Sequence, residues 1–126
     1  MTDTLREGGC LCGRVRYQAR GEPLRVGLCH CGDCRKESGA PFTLFAVFPS
    51  NAFSVTGETR LHAGRTFCPS CGSRLFNPGE PEMEIRAGTL DQAPTDLAPT
   101  YEIWVRRREP WLVPLPGAPQ FDDDRF

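Results

Sequence analysis

Lysine is nearly missing from this sequence, because only one of its fifteen basic residues, Lys36, is a lysine and the others are arginines. The formal net charge is −1. A chain with this balance has no strong electric field that would concentrate a nucleic acid or an anionic membrane around it. We therefore expect no nucleic acid and no membrane as partners, and favour small molecules or other proteins.

Long apolar runs are also absent. No stretch is long enough to cross a bilayer, and Met1–Gly9 lacks the basic segment followed by an apolar segment that marks a secretory signal. We therefore expect a cytoplasmic protein.

Long helical periodicity is the third absence. Thirteen glycines and twelve prolines divide the chain into short pieces, and no stretch sustains the apolar period of a long helix. The sequence predicts a mainly β protein with at most one or two short helices. One helix of about two turns is expected near Asp33–Ser38, ended by Gly39 and Pro41. Strands are predicted at Arg14–Gln18, Leu24–Leu28, Phe42–Phe48, Phe53–Val55, Arg74–Phe76, Met83–Ala87 and Tyr101–Arg107.

The size of the chain indicates one domain. Its 126 residues, of which 39% are hydrophobic, can bury a single core. We assign residues 1–126 to one domain with its core at about Leu5–Val113. The remaining segment, 114–126, is predicted to wrap the surface as a tail or to fray.

Cysteine is abundant for a chain of this length. The count of seven is odd, and a reducing cytoplasm disfavours disulfide frameworks, so metal ligation is the better interpretation. The cysteines fall into three groups, which we name the N-terminal pair (Cys10 and Cys12), the central cluster (Cys29, Cys31 and Cys34) and the knuckle (Cys68 and Cys71).

The knuckle has the sequence Cys-Pro-Ser-Cys-Gly, which lets two thiolates converge on one metal while backbone N–H groups of the same turn donate to the sulfurs. Two pairings of the groups are physically reasonable. In one, Cys31 and Cys34 join the knuckle as an ordinary zinc ribbon and three thiols are left over. In the other, the N-terminal pair joins the knuckle in a closed tetrahedral site, and the central cluster stays together.

Three ligands from one short segment can occupy one face of a zinc ion and leave its fourth position open for chemistry. His30 lies directly between two of these cysteines, so in an extended segment its side chain points away from the face that they share. We expect His30 not to be a ligand and to hydrogen-bond a backbone carbonyl on the opposite side. Asp33 is expected to cap the short helix, and Ser38 with Gly39 to end it.

Five segments together resemble one known family. They are Gly9–Tyr17, which contains Cys-Leu-Cys-Gly-Arg-Val-Arg; Cys29–Phe42, which begins Cys-His-Cys-Gly-Asp-Cys-Arg-Lys-Glu-Ser-Gly; Phe67–Phe76; Glu102–Leu112; and Pro119–Phe121. In order and spacing they are similar to the glutathione-dependent formaldehyde-activating enzyme and centromere protein V family, and the similarity spans nearly the whole chain.

The resemblance implies an Mss4-like, zinc-stabilised β-sheet domain with two zinc ions. It also chooses the second pairing: Cys10, Cys12, Cys68 and Cys71 would hold a structural zinc, and Cys29, Cys31 and Cys34 an open zinc of catalytic type. The implied activity is that of a carbon–sulfur lyase, of the type of S-hydroxymethylglutathione synthase, acting on adducts of glutathione or a similar thiol with a small aldehyde such as formaldehyde.

The open zinc would hold the thiol as its thiolate, which attacks the aldehyde carbonyl. Arg35 and Lys36 are the nearest candidate cations in the sequence, both for the developing oxyanion and for glutathione. The alternative function is a non-catalytic, zinc-stabilised binding module, because one fold serves many functions.

Other chemically suggestive residues receive structural interpretations. His62 is expected on the surface or in a strand, and Trp111 in the core. The three arginines Arg106, Arg107 and Arg108 are expected at a solvated strand end, where successive side chains face opposite sides and form no phosphate-binding patch.

Overall fold

The structure, a computed structural model, describes residues 4–126; the predicted domain also includes residues 1–3, which lie outside the described residues. The chain is mainly β, as predicted, with two sheets and one short α-helix in the described part. No helix among the described residues has the length and apolar character needed to span a bilayer. The strands are β1 (Leu5–Gly9), β2 (Arg16–Arg20), β3 (Arg25–Cys29), β4 (Thr43–Pro49), β5 (Phe53–Thr56), β6 (Arg60–His62), β7 (Arg65–Phe67), β8 (Arg74–Asn77), β9 (Glu82–Arg86) and β10 (Tyr101–Ile103), and the helix α1 (Gly32–Ser38) lies between β3 and β4.

The larger sheet has seven strands in the order β10-β3-β4-β9-β8-β7-β6. All neighbours in it are antiparallel except β10, which runs parallel to β3. The smaller sheet has the order β1-β2-β5 and is antiparallel. Short turns of 3-10 helix occupy Ser50–Ala52, Ala87–Thr89 and Val105–Arg107.

Strand β4 divides the interior into two cores, because successive side chains of a strand point to opposite faces. Ala46 and Phe48 belong to the larger core between the sheets, which also contains the fully buried Tyr17 and Leu75. Side chains on the other face of the large sheet form a second, smaller core. Its members are Phe45, Val47, Tyr101 and Ile103 together with two cysteines of the central cluster, Cys29 and Cys34.

Most predicted strands are confirmed within two residues, and the predicted helix is confirmed at Gly32–Ser38. The helix ends as expected, since Gly39 adopts a left-handed conformation and its N–H donates to the Arg35 carbonyl at 2.8 Å. Its N-cap, however, is Cys31 and not Asp33: the Cys31 sulfur accepts from the Cys34 N–H. Strands β1, β6 and β7 were not predicted.

The last predicted strand is wrong beyond Ile103. Trp104 has a left-handed backbone with φ 57°, which ends β10 and starts the 3-10 turn Val105–Arg107. The three consecutive arginines therefore do not lie at a strand end. Trp111 is also not a core residue, since 68% of it is exposed, whereas His62 lies exposed in β6 as expected.

The tail wraps the domain and pairs with β10. The Glu102 N–H donates to the Pro119 carbonyl at 3.0 Å, and the Phe121 N–H donates to the Glu102 carbonyl at 3.0 Å. Phe121 then packs against the second core, with its ring in edge contact with Tyr101. The tail is thereby fixed beside the face of the sheet that contains the central cluster.

Candidate metal centre

The N-terminal pair and the knuckle come together in one cluster, the four-cysteine site. Its four sulfur atoms lie within 4.8 Å of one another. The Cys10 and Cys12 sulfurs are 3.5 Å apart, and those of Cys12 and Cys68 are 3.7 Å apart. A tetrahedron with metal–sulfur bonds of about 2.3 Å has an edge of about 3.8 Å. The four sulfurs are thus placed to surround one metal ion.

Local backbone geometry explains why these thiols converge. In the knuckle, the Ser70 N–H donates to the Cys68 sulfur at 3.4 Å, and Gly72 closes the turn with φ +79°. A positive φ is accessible to glycine at no steric cost. The Cys71 sulfur lies 3.2 Å from the Ser73 hydroxyl, and this hydrogen bond lowers the pKa of Cys71 to about 5.

The central cluster lies at the junction of β3 and α1. Cys29 is the last residue of β3, Cys31 is the N-cap of α1, and Cys34 lies in its first turn. Their three sulfurs lie within 4.8 Å of one another, and the Cys34 N–H donates to the Cys31 sulfur at 3.3 Å. The strand end, cap and first turn therefore direct all three thiols to one point.

The electrostatics of this cluster favour a thiolate. The hydrogen bond with Cys29 and the positive charge of Arg86 outweigh burial and lower the pKa of Cys34 to about 6. The same contact with Cys34 raises the pKa of Cys29 above its ordinary value. Thiolate is the form of cysteine that binds metal.

The groups formed by the structure are those of the second pairing. Among the described residues, the central cluster forms one group of potential ligands and the N-terminal pair with the knuckle forms the other. The zinc-ribbon pairing is not formed. All seven cysteines are free thiols in the structure, so both groups can hold a metal ion.

A cavity of about 250 Å³ opens beside the central cluster, with Cys29 and Cys34 in its wall. Side chains of the second core form its floor, because Phe45, Val47 and Tyr101 all face this side of the sheet. Arginines line its polar parts, among them Arg25 and Arg86, and the end of the tail contributes Arg125. A small molecule in this cavity would contact thiols, apolar surface and positive charge together.

Arg86, at the end of β9, is the buried cation of this site, with 9% of its surface exposed. Its Nη1 donates to Glu84 at 3.0 Å and its Nη2 to Glu37 at 2.6 Å. Burial alone would lower the pKa of Arg86, but the charges of Glu84, Glu37 and Cys34 raise it above the ordinary value. Arg86 therefore keeps its charge beside the cysteines.

Comparison with known proteins identifies the family. A family model described as "Glutathione-dependent formaldehyde-activating enzyme" matches residues 5–107, a span that includes all seven cysteines. The chain belongs to this family. Among solved structures, the crystal structure of a Rhodobacter sphaeroides protein matches with a TM-score of 0.54 and 18% identity, covering 69% of this chain and 89% of that chain. At this identity the likeness shows a shared fold. No curated protein matches the sequence.

In this member of the formaldehyde-activating family, the two cations predicted from the sequence lie elsewhere. Arg35 Nη1 is 3.3 Å from a Glu109 carboxylate oxygen, and Arg35 lines a separate concavity with Lys36 and Trp111. Neither Arg35 nor Lys36 lines the cavity beside Cys29 and Cys34. Among the described residues, it is the charge of Arg86, far from the cluster in sequence, that acts on Cys34.

His30 is buried behind the central cluster, with only 1% of its surface exposed. Its Nε2 lies 2.7 Å from Oε1 of Glu102, so the expected backbone carbonyl partner is wrong. Burial would raise the pKa of Glu102, but the Leu115 N–H, the Gln120 amide and His30 lower it below its ordinary value. Glu102 is therefore an ionised acceptor, and His30 donates to it from Nε2.

Neither Arg86 nor Glu102 could be found from the sequence. Arg86 is one of many arginines, and it reaches Cys34 only because β9 pairs with β4. Glu102 is separated from His30 by 72 positions. Glu102 begins the segment Glu102–Leu112 of the family resemblance, but that resemblance does not indicate a contact with His30.

Proposed function

We propose that this protein is a zinc-dependent enzyme of the carbon–sulfur lyase type, which handles adducts of glutathione or a similar thiol with a small aldehyde such as formaldehyde. The observation that supports it most is the central cluster, which offers three sulfur ligands at the wall of a cavity of about 250 Å³. Three ligands beside a cavity leave room for a substrate at the fourth position of a metal.

In this proposal the four-cysteine site holds a structural zinc through Cys10, Cys12, Cys68 and Cys71. The donor set fits, because four thiolates at tetrahedral spacing suit zinc. Cys29, Cys31 and Cys34 hold the second zinc. Zinc there would supply a position where an incoming thiol loses its proton and is held as a reactive thiolate.

The chain's own residues then position the reaction. Phe45 and Val47 form an apolar floor that keeps water away from the thiolate, and Arg86 provides positive charge where negative charge develops on the aldehyde oxygen. Arg35 and Lys36, which line a separate concavity, remain candidates for contacting the more distant parts of a glutathione molecule.

The proposal also includes the compartment and the extent of the domain. Seven free thiols require a reducing compartment, which the cytoplasm supplies. Residues 1–126 act as one domain, whose tail pairs with β10 beside the cavity.

The test is sulfur coordination measured by zinc-edge X-ray absorption on protein loaded with two zinc ions. Sulfur coordination per zinc should average about 3.5 without substrate, from one four-sulfur and one three-sulfur site, and rise to about 4 with glutathione. The Cys29→Ser variant should bind one zinc fewer and show no rise. If glutathione leaves the wild-type spectrum unchanged, the enzyme proposal fails and the binding module is favoured.

A catalytic assay completes the test. Addition of wild-type protein to glutathione and ¹³C-formaldehyde should accelerate exchange between free aldehyde and S-hydroxymethylglutathione, seen by NMR. Cys29→Ser should abolish this acceleration.

A further inference from the structure

Three buried side-chain atoms of the described residues have no hydrogen-bond partner: Nδ1 of His30, behind the central cluster, and two atoms on the side of the cluster lined by β4 and β9. The latter two are Oγ1 of Thr43, a residue 6% exposed, and Nε of Arg86, a residue 9% exposed. Neither atom makes a hydrogen bond of normal geometry with any residue from 4 to 126. Buried polar groups in folded proteins nearly always have partners, and an unsatisfied one costs free energy. Two such atoms on neighbouring strands are hydrogen-bonding groups available to a ligand.

Sheet register places these two residues at the cysteines. Thr43 is the direct cross-strand partner of Cys29, and Arg86 is the partner of Phe45, two residues further along β4. Thr43 and Arg86 are therefore diagonal neighbours on one face of the sheet, a spacing that long side chains bridge. The Thr43 side chain lies near the Cys34 sulfur without a hydrogen bond of normal geometry to it, and Arg86 lines the same cavity as Cys34.

Arg86 lines two cavities. Arg86 lines the cavity of about 250 Å³ that contains Cys29 and Cys34. Arg86 and Thr43 together line a smaller one of about 200 Å³ with Phe42 and Leu44, and its exposed surface is mostly apolar. Arg86 is therefore the residue shared by the cavity beside the cysteines and the cavity that Thr43 lines.

The rest of the Arg86 guanidinium is already in use. Nη1 and Nη2 donate to Glu84 and Glu37 at 3.0 and 2.6 Å, which holds the group in one orientation. Of the three guanidinium nitrogens, only Nε has no acceptor among the described residues. A donor held rigidly before the substrate arrives needs no reorganisation during the reaction.

We propose that Arg86 Nε and the Thr43 hydroxyl bind the oxygen atom of the aldehyde, and of the adduct formed from it. We call these two donors the oxygen subsite. This inference rests on the proposed function and adds the catalytic groups to it. The aldehyde would therefore bind on the side of the central cluster that is lined by β4 and β9.

The step they assist is addition of a thiolate to a carbonyl. The thiol releases its proton to solvent on binding, and the thiolate sulfur forms a bond to the carbonyl carbon. The carbon–oxygen π bond breaks, and its electron pair moves to the oxygen, where Arg86 and Thr43 donate hydrogen bonds to the negative charge. A proton from water then gives the neutral adduct RS–CH₂–OH. In reverse the carbon–sulfur bond breaks and the aldehyde leaves.

A binding experiment tests the subsite without catalysis. In protein loaded with Co²⁺, an added thiol that ligates the metal changes the sulfur-to-cobalt charge-transfer absorption. We would titrate 2-mercaptoethanol, which carries an oxygen near its sulfur, and propane-1-thiol, which has the same size but no oxygen. Wild-type protein should bind 2-mercaptoethanol about tenfold more tightly than propane-1-thiol, because one good hydrogen bond has an effect of this size.

Variants of the two residues should remove this preference. Thr43→Val deletes the hydroxyl at nearly constant volume, and Arg86→Lys deletes Nε–H while keeping the charge. In each variant the affinities for the two thiols should differ by no more than about twofold. Thr43→Ser keeps the hydroxyl and should keep the preference. The matched control is Thr66→Val, because Thr66 is equally buried, at 4% exposure, but lies on β7 outside both cavities.

The outcomes separate this inference from the proposed function. If both thiols bind to wild-type protein with equal affinity, or if Thr43→Val keeps the preference, the oxygen subsite is wrong while the thiol site stands. If neither thiol changes the absorption, the proposed function is wrong and the subsite with it. Should Arg86→Lys fail to fold, the comparison of Thr43→Val with Thr43→Ser decides alone. As a second readout, Thr43→Val should slow the NMR exchange about tenfold or more.

Discussion

Glu37 and Arg86 form an ion pair of 2.6 Å inside the protein, and this pair is part of a larger cluster of charge. The other oxygen of Glu37 lies 2.9 Å from Nε of Arg74 and 2.7 Å from Nε of Arg65. Glu37 lies on α1 shortly after Cys34, whereas Arg65 and Arg74 lie on the strands before and after the knuckle. One carboxylate therefore connects the central cluster to the four-cysteine site.

Replacing Glu37 should be strongly destabilising. Glu37→Gln leaves three arginines without their shared acceptor charge, and loss of one partner from a buried ion pair costs about 3 kcal/mol or more. Urea unfolding of the zinc-loaded protein at pH 7 measures this free energy. Glu58→Gln is the control, because Glu58 is exposed and should change stability by less than about 0.5 kcal/mol. Equal stability of both variants would contradict the structural role of Glu37.

The same carboxylate predicts a pH dependence. Burial alone would raise the pKa of Glu37, but Arg74 and Arg86 outweigh it and lower the pKa below the ordinary 4.5. A lowered pKa means that the stabilisation is complete above the unfolded-state value and is lost as pH falls through the folded-state value. The difference in unfolding free energy between wild type and Glu37→Gln should therefore shrink below about pH 4.5. A difference that stays constant down to pH 3 would contradict this.

The two cysteine sites should respond differently to mutation. Cys68→Ser opens the four-cysteine site, which joins the N-terminal segment to the middle of the chain, and should lower the Tm by about 10 °C or more. Cys29→Ser should lose one zinc yet keep the circular-dichroism spectrum of the folded protein. Metal analysis of wild-type protein should give two zinc ions per chain, one for each group of cysteines. One zinc in the wild type, or unfolding of both variants, would contradict the assignment.

The buried pair of His30 and Glu102 predicts an effect on the tail. Glu102 also accepts hydrogen bonds from the Leu115 N–H at 2.8 Å and the Gln120 amide at 2.9 Å. Glu102→Gln removes this charge and should cost about 2 kcal/mol. Limited proteolysis should then cut the segment after Val113 faster than in the wild type. An unchanged cleavage rate would show that Glu102 does not hold the tail.

Sequence prediction worked best where the pattern was long. The seven-residue strand β4 and the helix after Cys31 were found because alternation and the Gly39 stop are clear local signals. Strands β6 and β7 have only three residues each, too few to show alternation. Strand β1, Leu-Arg-Glu-Gly-Gly, has one large apolar residue and two glycines, so nothing in it indicates a strand.

The residues that can bind metal follow from the amino-acid sequence. The spacing of the central cluster and of the knuckle places their thiols together through two or three backbone turns, and such local geometry does not depend on the rest of the fold. The family resemblance added the correct partner for the knuckle.

The residues that surround those thiols, in contrast, depend on how distant strands pair. Thr43 and Arg86 meet at the central cluster because β9 pairs with β4 in one register, and a shift of one residue would turn Arg86 to the opposite face. Glu102 reaches His30 because β10 lies parallel to β3. Such contacts join residues about 40 to 70 positions apart. They depend on the pairing and register of whole strands, which a local pattern of residues does not predict.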